Sequence, residues 1–252
     1  MKRLGFLLIL LVCGLGFSQN EVLFEEANRL YNEAQYYEAL DKYHTILDSG
    51  AHSAALYFNM GNAHYKLNNI APSIYYYEKA LLLKPNDNEI NNNLAFARNM
   101  TIDAIDVVPE IGLLSLINKW AKYFYYETWA KISVTFSILF VALFIFYYFS
   151  VSSSKKRFAF VSSIICLILV FATLGLTFHG QNLVKTNQPA IVFAKESQIK
   201  NEPNLRSNEA FKLHEGTKVQ VLDTVDNWKK IKIADGKTGW VLSDDIKLVK
   251  TL

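Results

Sequence analysis

Two long apolar stretches dominate the pattern of hydrophobic and polar positions along the chain. Residues 132–152 and 158–178 contain no charged side chain, and each is long enough to cross about 30 Å of hydrocarbon as an α-helix. The pattern therefore predicts two transmembrane helices. The intervening residues 153–157 contain two lysines and an arginine, and cytoplasmic loops carry an excess of such residues. We therefore predict a short cytoplasmic loop there.

A third apolar run lies near the N-terminus, from Leu4 to Phe17, directly after Lys2 and Arg3. A short apolar run that follows basic residues and precedes small ones is typical of a secretory signal peptide. We therefore predict a signal peptide over residues 1–18, with an uncleaved anchor helix as the alternative. In both cases the region that follows is exported. The first span then runs from outside to inside, and the second returns the chain to the outside.

Residues 101–131 are predicted to form a linker followed by an amphipathic helix. Apolar residues fall near one face of this helix: Leu113, Leu116, Ile117, Trp120 and Phe124. Two lysines, Lys119 and Lys122, accompany them. This pattern is typical of a helix that lies along the outer membrane surface. The alternatives are that the segment lengthens the first span or packs on the preceding domain.

An internal repeat marks residues 20–100. One constant shift of the chain against itself aligns positions of similar character: Ala27 with Gly61, Asn28 with Asn62, Tyr31 with Tyr65, Ala39 with Ser73, and Tyr43 with Tyr77. The small residues let paired helices approach closely, and the tyrosines fill the space between neighbouring hairpins. Pro85 lacks the amide proton needed to continue a helix. The period of this repeat, about 34 residues, is typical of stacked helical hairpins.

This region resembles the tetratricopeptide repeat (TPR) family, most clearly over residues 54–87. The resemblance implies a first copy at 20–53, a second at 54–87, and a partial copy or cap at 88–100. It also implies a groove that binds segments of other proteins, lined by residues of the first helix of each repeat: Phe24, Asn28, Tyr31, Asn32, Phe58, Asn62, Tyr65 and Lys66. Packing is the alternative role for the aromatic residues. So short an array is expected to depend on the membrane-proximal helix or a partner.

After Pro189 the pattern alternates with a period of two, as in residues 217–222 and 228–233. Several short strands with a turn at Asp235-Gly236 predict a small β-barrel over residues 189–249. The fold class predicted for the whole chain is therefore multi-domain: an α-helical TPR array, two transmembrane helices and a C-terminal all-β barrel.

The barrel resembles bacterial SH3-like domains through a set of short motifs: Asn204-Leu205-Arg206-Ser207, Gly216-Thr217-Lys218-Val219, Trp228, and Gly239-Trp240-Val241. Trp228 and Trp240 are candidates for a ligand-binding face, and packing is the alternative role. In other exported proteins such domains can bind cell-wall peptides. The resemblance therefore makes peptidoglycan a candidate ligand.

Charge and the inventory of reactive side chains exclude several functions. The formal net charge is only +3, and no basic stripe with interleaved aromatics is present, so no nucleic-acid partner is predicted. Cys13 and Cys166 both lie in apolar runs, which leaves the exported domains without a thiol. The five histidines are scattered, with no nucleophile motif or metal-ligand spacing. We predict no enzyme activity, no metal site and no cofactor.

The order of these parts along the chain resembles the Bacteroides aerotolerance (Bat) family. That resemblance implies partners among membrane-anchored von Willebrand factor A-type proteins and another TPR protein, and a role in tolerance of oxygen or envelope stress. We therefore predict a non-catalytic scaffold of a bacterial inner membrane, with both domains in the periplasm and partner proteins held in the TPR groove. The alternative is a peptidoglycan sensor or tether that acts through the SH3-like domain.

Overall fold

The computed structural model of the protein describes residues 19–105 and 112–250. The predicted signal peptide at residues 1–18 lies outside this part. The described helices are residues 19–32 (α1), Tyr36–Asp48 (α2), Ala54–Lys66 (α3), Ile70–Leu83 (α4), Asn88–Arg98 (α5), Leu113–Tyr123 (α6), Tyr126–Phe149 (α7) and Ser153–Thr186 (α8). One compact unit contains α1–α5 and all the described strands, and a second contains α6–α8.

Helices α1–α5 form the predicted helical array, and the turns within its two hairpins, α1–α2 and α3–α4, repeat in detail. Ala34 and Asn68, which are one repeat period apart, both adopt φ of 60°. In each turn the amide of this residue donates to the carbonyl three residues earlier, to Tyr31 and Tyr65 respectively. The left-handed conformation is tolerated by asparagine but strains alanine, whose Cβ approaches the following carbonyl. The first turn therefore carries a residue that its backbone conformation does not favour.

Exchanging residue types between the two turns should change stability in opposite directions. We expect Ala34→Asn to raise the free energy of unfolding by about 0.5–1 kcal/mol and Asn68→Ala to lower it by a similar amount. Thermal unfolding of the full-length protein in detergent, followed by circular dichroism, measures both. Destabilisation by Ala34→Asn would contradict the left-handed turn at that position.

The second hairpin is held together by close approach at Gly61. The Ser73 hydroxyl donates to the Gly61 carbonyl oxygen at 3.0 Å, and both residues are buried. The Tyr77 ring covers the glycine so closely that an added Cβ would lie 2.6 Å from its Cδ1 atom. The small residues that indicated helix pairing in the sequence therefore lie at the helix contact.

The C-terminal region folds as an antiparallel sheet. Its strands are Gln188–Val192 (β1), Glu196–Lys200 (β2), Glu209–His214 (β3), Lys218–Val225 (β4), Trp228–Lys232 (β5), Thr238–Leu242 (β6) and Ile246–Leu248 (β7). Their order in the sheet is β3-β2-β6-β5-β4-β1-β7. One side of the sheet covers a core that includes Ile199, Ile231 and Val241. This arrangement fits the predicted SH3-like barrel, although the edge strands β3 and β7 do not pair with each other.

The helical array and the sheet share a hydrophobic core within the first unit. Ile191 of β1 and Val249 have no exposed surface and belong to the cluster formed by the array's own buried residues. At Gly216, with φ of +87°, a Cβ would lie 2.9 Å from Ile70 Cγ2 and 3.1 Å from Ile74 Cδ1. The Ile70 and Ile74 side of α4 is therefore covered by the sheet, whereas the sequence had suggested that the array depends on the membrane-proximal helix or a partner.

Polar contacts reinforce the same junction. The Asp103 carboxylate accepts hydrogen bonds from the His214 backbone amide at 2.7 Å and from the Thr217 hydroxyl at 2.6 Å, and its second oxygen lies 2.7 Å from His214 Nδ1. The buried carboxylate of Glu78 pairs with Arg98 at 2.6 Å and with Lys218 of β4 at 2.7 Å. The array and the sheet are thus joined by both packing and charge.

The second unit contains two helices, α7 and α8, that are long and apolar enough to cross a membrane. Their bounds differ from those predicted. Helix α7 begins at Tyr126, earlier than the predicted span 132–152, and α8 extends both ends of the predicted span 158–178. The predicted loop at 153–157 instead forms the first turn of α8. Hydropathy identifies only the residues that lipid can cover. A helix can extend beyond them, because backbone hydrogen bonds form equally well between polar residues.

Candidate functional site

Two equivalent hydrogen-bond networks connect the helices that line the groove of the array. Asn28 Oδ1 accepts from the Tyr43 hydroxyl at 2.7 Å and from Asn59 Nδ2 at 2.8 Å. One repeat later, Asn62 Oδ1 accepts from the Tyr77 hydroxyl at 2.6 Å and from Asn93 Nδ2 at 2.9 Å. Each network joins the two helices of one repeat to the first helix of the next.

The networks define what these two asparagines can offer a ligand. Because each Oδ1 already accepts two hydrogen bonds, the carboxamide N–H groups are the part of Asn28 and Asn62 suited to a partner. Removing either side chain would also leave a buried tyrosine hydroxyl without its acceptor. The asparagines predicted as groove residues are therefore structural as well.

The tyrosines in these networks are neutral donors at physiological pH. Burial raises the pKa of Tyr43 to about 12, with a smaller opposing effect from its hydrogen bond to an asparagine. Burial also raises the pKa of Tyr77 well above its ordinary value. Each hydroxyl therefore keeps its proton and donates to the asparagine oxygen at any pH that the protein meets.

The second network borders a cavity of about 240 Å³ in the groove. Seven residues line it: Tyr31, Asn62, Tyr65, Lys66, Tyr77, Asn93 and Phe96. Four of them belong to the groove predicted from the sequence. Lys66 is exposed and provides the positive charge of the lining, whereas Phe96 is an aromatic ring with 61% of its surface exposed. The cavity thus combines N–H donors, one cation and apolar ring faces.

Three lining residues were missed, and the repeat period could have found one of them. Phe96 lies one repeat period after the predicted groove residue Asn62, so it occupies a groove position of the partial third copy. Asn93 lies one period after Asn59, which was not among the predicted groove residues. Tyr77 belongs to a second helix of a repeat but reaches the groove through its hydroxyl.

The other predicted groove residues do not line this cavity. The ring centroids of Phe24 and Phe58 lie 5.9 Å from those of Tyr43 and Tyr77, respectively, and both phenylalanines pack against the core of the array. Asn28 belongs to the first network, and Asn32 is exposed. The two phenylalanines therefore follow the packing alternative.

The structure separates the two tryptophans, Trp228 and Trp240, that were predicted to form a ligand-binding face. Trp228 is only 8% exposed, so it packs within the domain and cannot present its ring to a ligand. Trp240 remains partly exposed, and Lys200 and Lys230 face it in register on the two neighbouring strands. The Lys230 ammonium lies 6.0 Å from the centre of the Trp240 ring. The part of the predicted ligand face that remains accessible is thus one tryptophan between two lysines.

The histidines and acidic residues of the described chain do not gather into a metal site. Within residues 19–105 and 112–250, no group of three or more His, Cys, Asp or Glu side chains could hold a metal ion. His64 of the array stacks on the Tyr76 ring, and its partial burial there lowers its pKa to about 4. It therefore packs in its neutral form.

Comparison with known protein families matches two parts of the chain. Residues 54–87 match the tetratricopeptide repeat, and residues 198–247 match the bacterial SH3 domain. No curated protein sequence matches the chain. The chain therefore contains a TPR repeat and a bacterial SH3 domain, two modules that typically bind proteins or cell-wall components without catalysis.

Proposed function

We propose that this chain, with its TPR repeat and bacterial SH3 domain, is a non-catalytic, membrane-anchored adaptor that holds a segment of a partner protein in its TPR groove. Its complex is of the Bat type, with von Willebrand factor A-type membrane proteins and another TPR protein as the candidate partners, and it acts in tolerance of oxygen or envelope stress. The chain itself corresponds to the BatE type. This part of the proposal extends the resemblance in the order of domains.

The cavity beside Asn62 is the observation that carries the proposal. Its polar groups are held by hydrogen bonds before any ligand arrives, which reduces the entropy lost on binding. Phe96 is exposed there with no role in the array core. Concave surfaces of helical arrays are the usual binding faces of such proteins.

The lining also indicates what kind of segment fits. A volume of about 240 Å³ suits one large side chain, and the rings of Tyr65 and Phe96 provide its apolar contacts. The carboxamide N–H groups of Asn62 can donate to a backbone carbonyl, while Lys66 favours an acidic group nearby. We infer that the ligand is a segment with a large apolar residue next to an acidic one.

Substitution of exposed lining residues tests the groove. We expect Lys66→Ala together with Phe96→Ala to weaken capture of the partner at least tenfold, roughly the loss of one strong contact residue. Tyr37→Ala is the matched control, because Tyr37 is 67% exposed on α2 but does not line the cavity. Affinity capture from solubilised native membranes, with the bound partner quantified against the wild type and the Tyr37 control, measures the loss.

Two other changes are unsuitable as tests of the groove. Replacing Asn62 removes an acceptor that the array itself uses, and deleting residues 189–252 removes Ile191 and Val249 from the shared core. Either change would reduce capture by unfolding the array. Full capture by the folded Lys66 and Phe96 double variant would contradict the proposed groove.

Membrane anchoring is supported by the second unit. The most apolar windows of α7 and α8 are only 6% and 22% buried, so most of their apolar surface needs lipid around it. The array precedes these helices in the chain, the sheet follows them, and the two share one core. The array and the sheet must therefore lie on the same side of a membrane. A chain that crosses the membrane twice between them, through α7 and α8, meets this condition. The signal peptide predicted at residues 1–18 favours the periplasmic side of the inner membrane.

Thiol labelling tests this topology. In a variant without the native cysteines, Ser153→Cys should resist membrane-impermeant reagents in intact spheroplasts, whereas Asn208→Cys on the sheet should react. The positive residues at the start of α8 and the proposed export of the sheet give this expectation. Labelling in the reverse order would contradict the orientation, and labelling of both sites would contradict the two crossings.

Peptidoglycan binding through the sheet is a second candidate function. Trp240 between Lys200 and Lys230 is the observation that favours it, because such a surface can stack on a ligand and attract its carboxylates. Sedimentation with purified peptidoglycan, compared between the wild type and Trp240→Ala, distinguishes it from the groove function. A wall sensor or tether would be favoured if Trp240→Ala abolishes sedimentation with peptidoglycan while the Lys66 and Phe96 double variant still sediments.

A further inference from the structure

We propose that helix α6 lies in the interface between water and lipid and binds the phospholipid surface through its free apolar face. The inference rests on the proposed function only in taking α7 and α8 to cross a bilayer. Helix α6 would be a third element that contacts the membrane, after α7 and α8. Lipid would cover its apolar face, which no described neighbouring element of the second unit covers.

One side of α6 is attached to α8. Asn118 Oδ1 lies 2.7 Å from His179 Nε2, and Ala121 is almost completely buried. At Gly180 an added Cβ would lie 3.4 Å from Tyr126 Cβ and 3.7 Å from the Ala121 carbonyl oxygen. Small side chains on both helices therefore allow a close contact that fixes how α6 is rotated about its axis.

The apolar face of α6 points elsewhere. Leu113, Leu116 and Trp120 are 75%, 54% and 60% exposed, and they lie within about 60° of one another around the helix axis. Ala121, which contacts α8, lies well outside this arc, and Lys122 lies on the opposite side. Helix α6 thus has an apolar stripe on one side, a lysine on the opposite side, and a contact with α8 on another side. This arrangement fits a helix that lies on a membrane surface.

The level of α6 along α8 matches the edge of the hydrocarbon. Its contacts, His179 and Gly180, directly follow the apolar sequence that ends at Phe178. Aromatic residues, which concentrate at the membrane interface, cluster at this end of the unit: Trp120, Tyr123, Phe124, Tyr125, Tyr126 and Trp129. Tyrosines recur at Tyr147 and Tyr148, and Tyr147 lies roughly 27 Å beyond Trp129 along α7, close to the thickness of the hydrocarbon core.

Trp120 adds polar chemistry to the same level. Its side chain is 60% exposed on α6, so its indole N–H can donate to lipid carbonyl or headgroup oxygens, as tryptophans at the membrane interface ordinarily do. The chemistry that fits this level is therefore that of phospholipid: acyl chains for the apolar stripe and oxygens for the indole donor.

Spin labelling of the full-length protein in phosphatidylethanolamine and phosphatidylglycerol vesicles tests the proposal. Labels are attached to Leu116→Cys on the apolar face, to Ser115→Cys on the polar side, and to Ile138→Cys in the middle of α7, all in a variant without Cys13 and Cys166. Collision with oxygen and with a water-soluble nickel chelate reports depth. We expect the label at 116 to lie roughly 5–10 Å below the headgroups and the label at 115 to collide freely with nickel.

The reference label keeps the two hypotheses apart. Suppose that the label at 138 lies in hydrocarbon and the label at 116 collides with nickel as freely as the label at 115. Helix α6 is then in water, and the inference is overturned while the membrane anchoring stands. If 116 is shielded from both reagents, protein covers the apolar face, which also overturns it. Nickel collision at 138 would overturn the anchoring together with the inference.

Discussion

Replacing Asp103 with alanine is expected to destabilise the unit formed by the array and the sheet by about 2–4 kcal/mol, because one carboxylate contacts three groups of the sheet. Those groups are the His214 amide, the His214 ring and the Thr217 hydroxyl. Alanine would leave the amide and hydroxyl without an acceptor at a partly buried site. Chemical unfolding of the full-length protein in detergent measures the change.

The same carboxylate predicts a dependence on pH. Burial raises the pKa of Asp103, but hydrogen bonds from Thr217 and His214 together outweigh it and hold the pKa below its ordinary value. Its contribution is therefore complete above the ordinary carboxyl range and is lost as the pH falls through the lowered pKa. The difference in stability between wild type and Asp103→Ala should shrink in acid.

Asp41→Ala is the matched control for this prediction. Asp41 is an exposed aspartate of α2 in the same array, and its backbone carbonyl, which the substitution keeps, accepts a hydrogen bond from Thr45. Equal losses of stability in the Asp41 and Asp103 variants would contradict a specific junction between the two domains. A normal stability in Asp103→Ala would show that apolar packing and the Glu78–Lys218 ion pair join them without this carboxylate.

The second large effect is expected at Gly61. A methyl group there would lie 2.6 and 2.7 Å from two Tyr77 ring carbons, and the hydrogen bond to Asn62 restrains that ring from moving aside. Gly61→Ala should therefore cost about 1–3 kcal/mol despite the better helix propensity of alanine. Thermal unfolding followed by circular dichroism gives the measurement.

Gly175→Ala provides the comparison. This glycine also lies inside a helix, but a Cβ there would have no neighbour within 4 Å. Alanine at that position should be neutral or slightly stabilising. A melting temperature for Gly61→Ala equal to that of Gly175→Ala would contradict the tight pairing of α3 with α4.

Local regularity explains how much of the fold could be predicted from sequence. The repeat period placed Gly61 and Ser73 at a helix contact, because small residues at fixed spacing have one main use in stacked hairpins. The resemblance to TPR arrays implied Tyr65 and Lys66 as groove residues, and both line the cavity. Hydropathy found both long apolar helices but not their ends, since polar first and last turns remain helical.

The junction between the domains could not be predicted in this way. Asp103 and His214 are separated by 111 positions and belong to no motif, so only the folded chain brings them together. Trp228 and Trp240 look equivalent in the sequence, yet the side chains around Trp228 cover it and leave Trp240 accessible. Burial of a single ring depends on neighbours from distant segments, which periodicity does not record.

The shared core also sets the order in which the protein can mature. Val249 lies about 150 residues after the array in the chain, yet it is buried among side chains of the array, which is synthesised first. Until the sheet leaves the ribosome and reaches the same compartment, the surface around Ile70 and Ile74 stays uncovered. A truncated or stalled chain would expose this apolar patch to proteases and chaperones, so quality control can recognise an incomplete copy before it occupies a place in a complex.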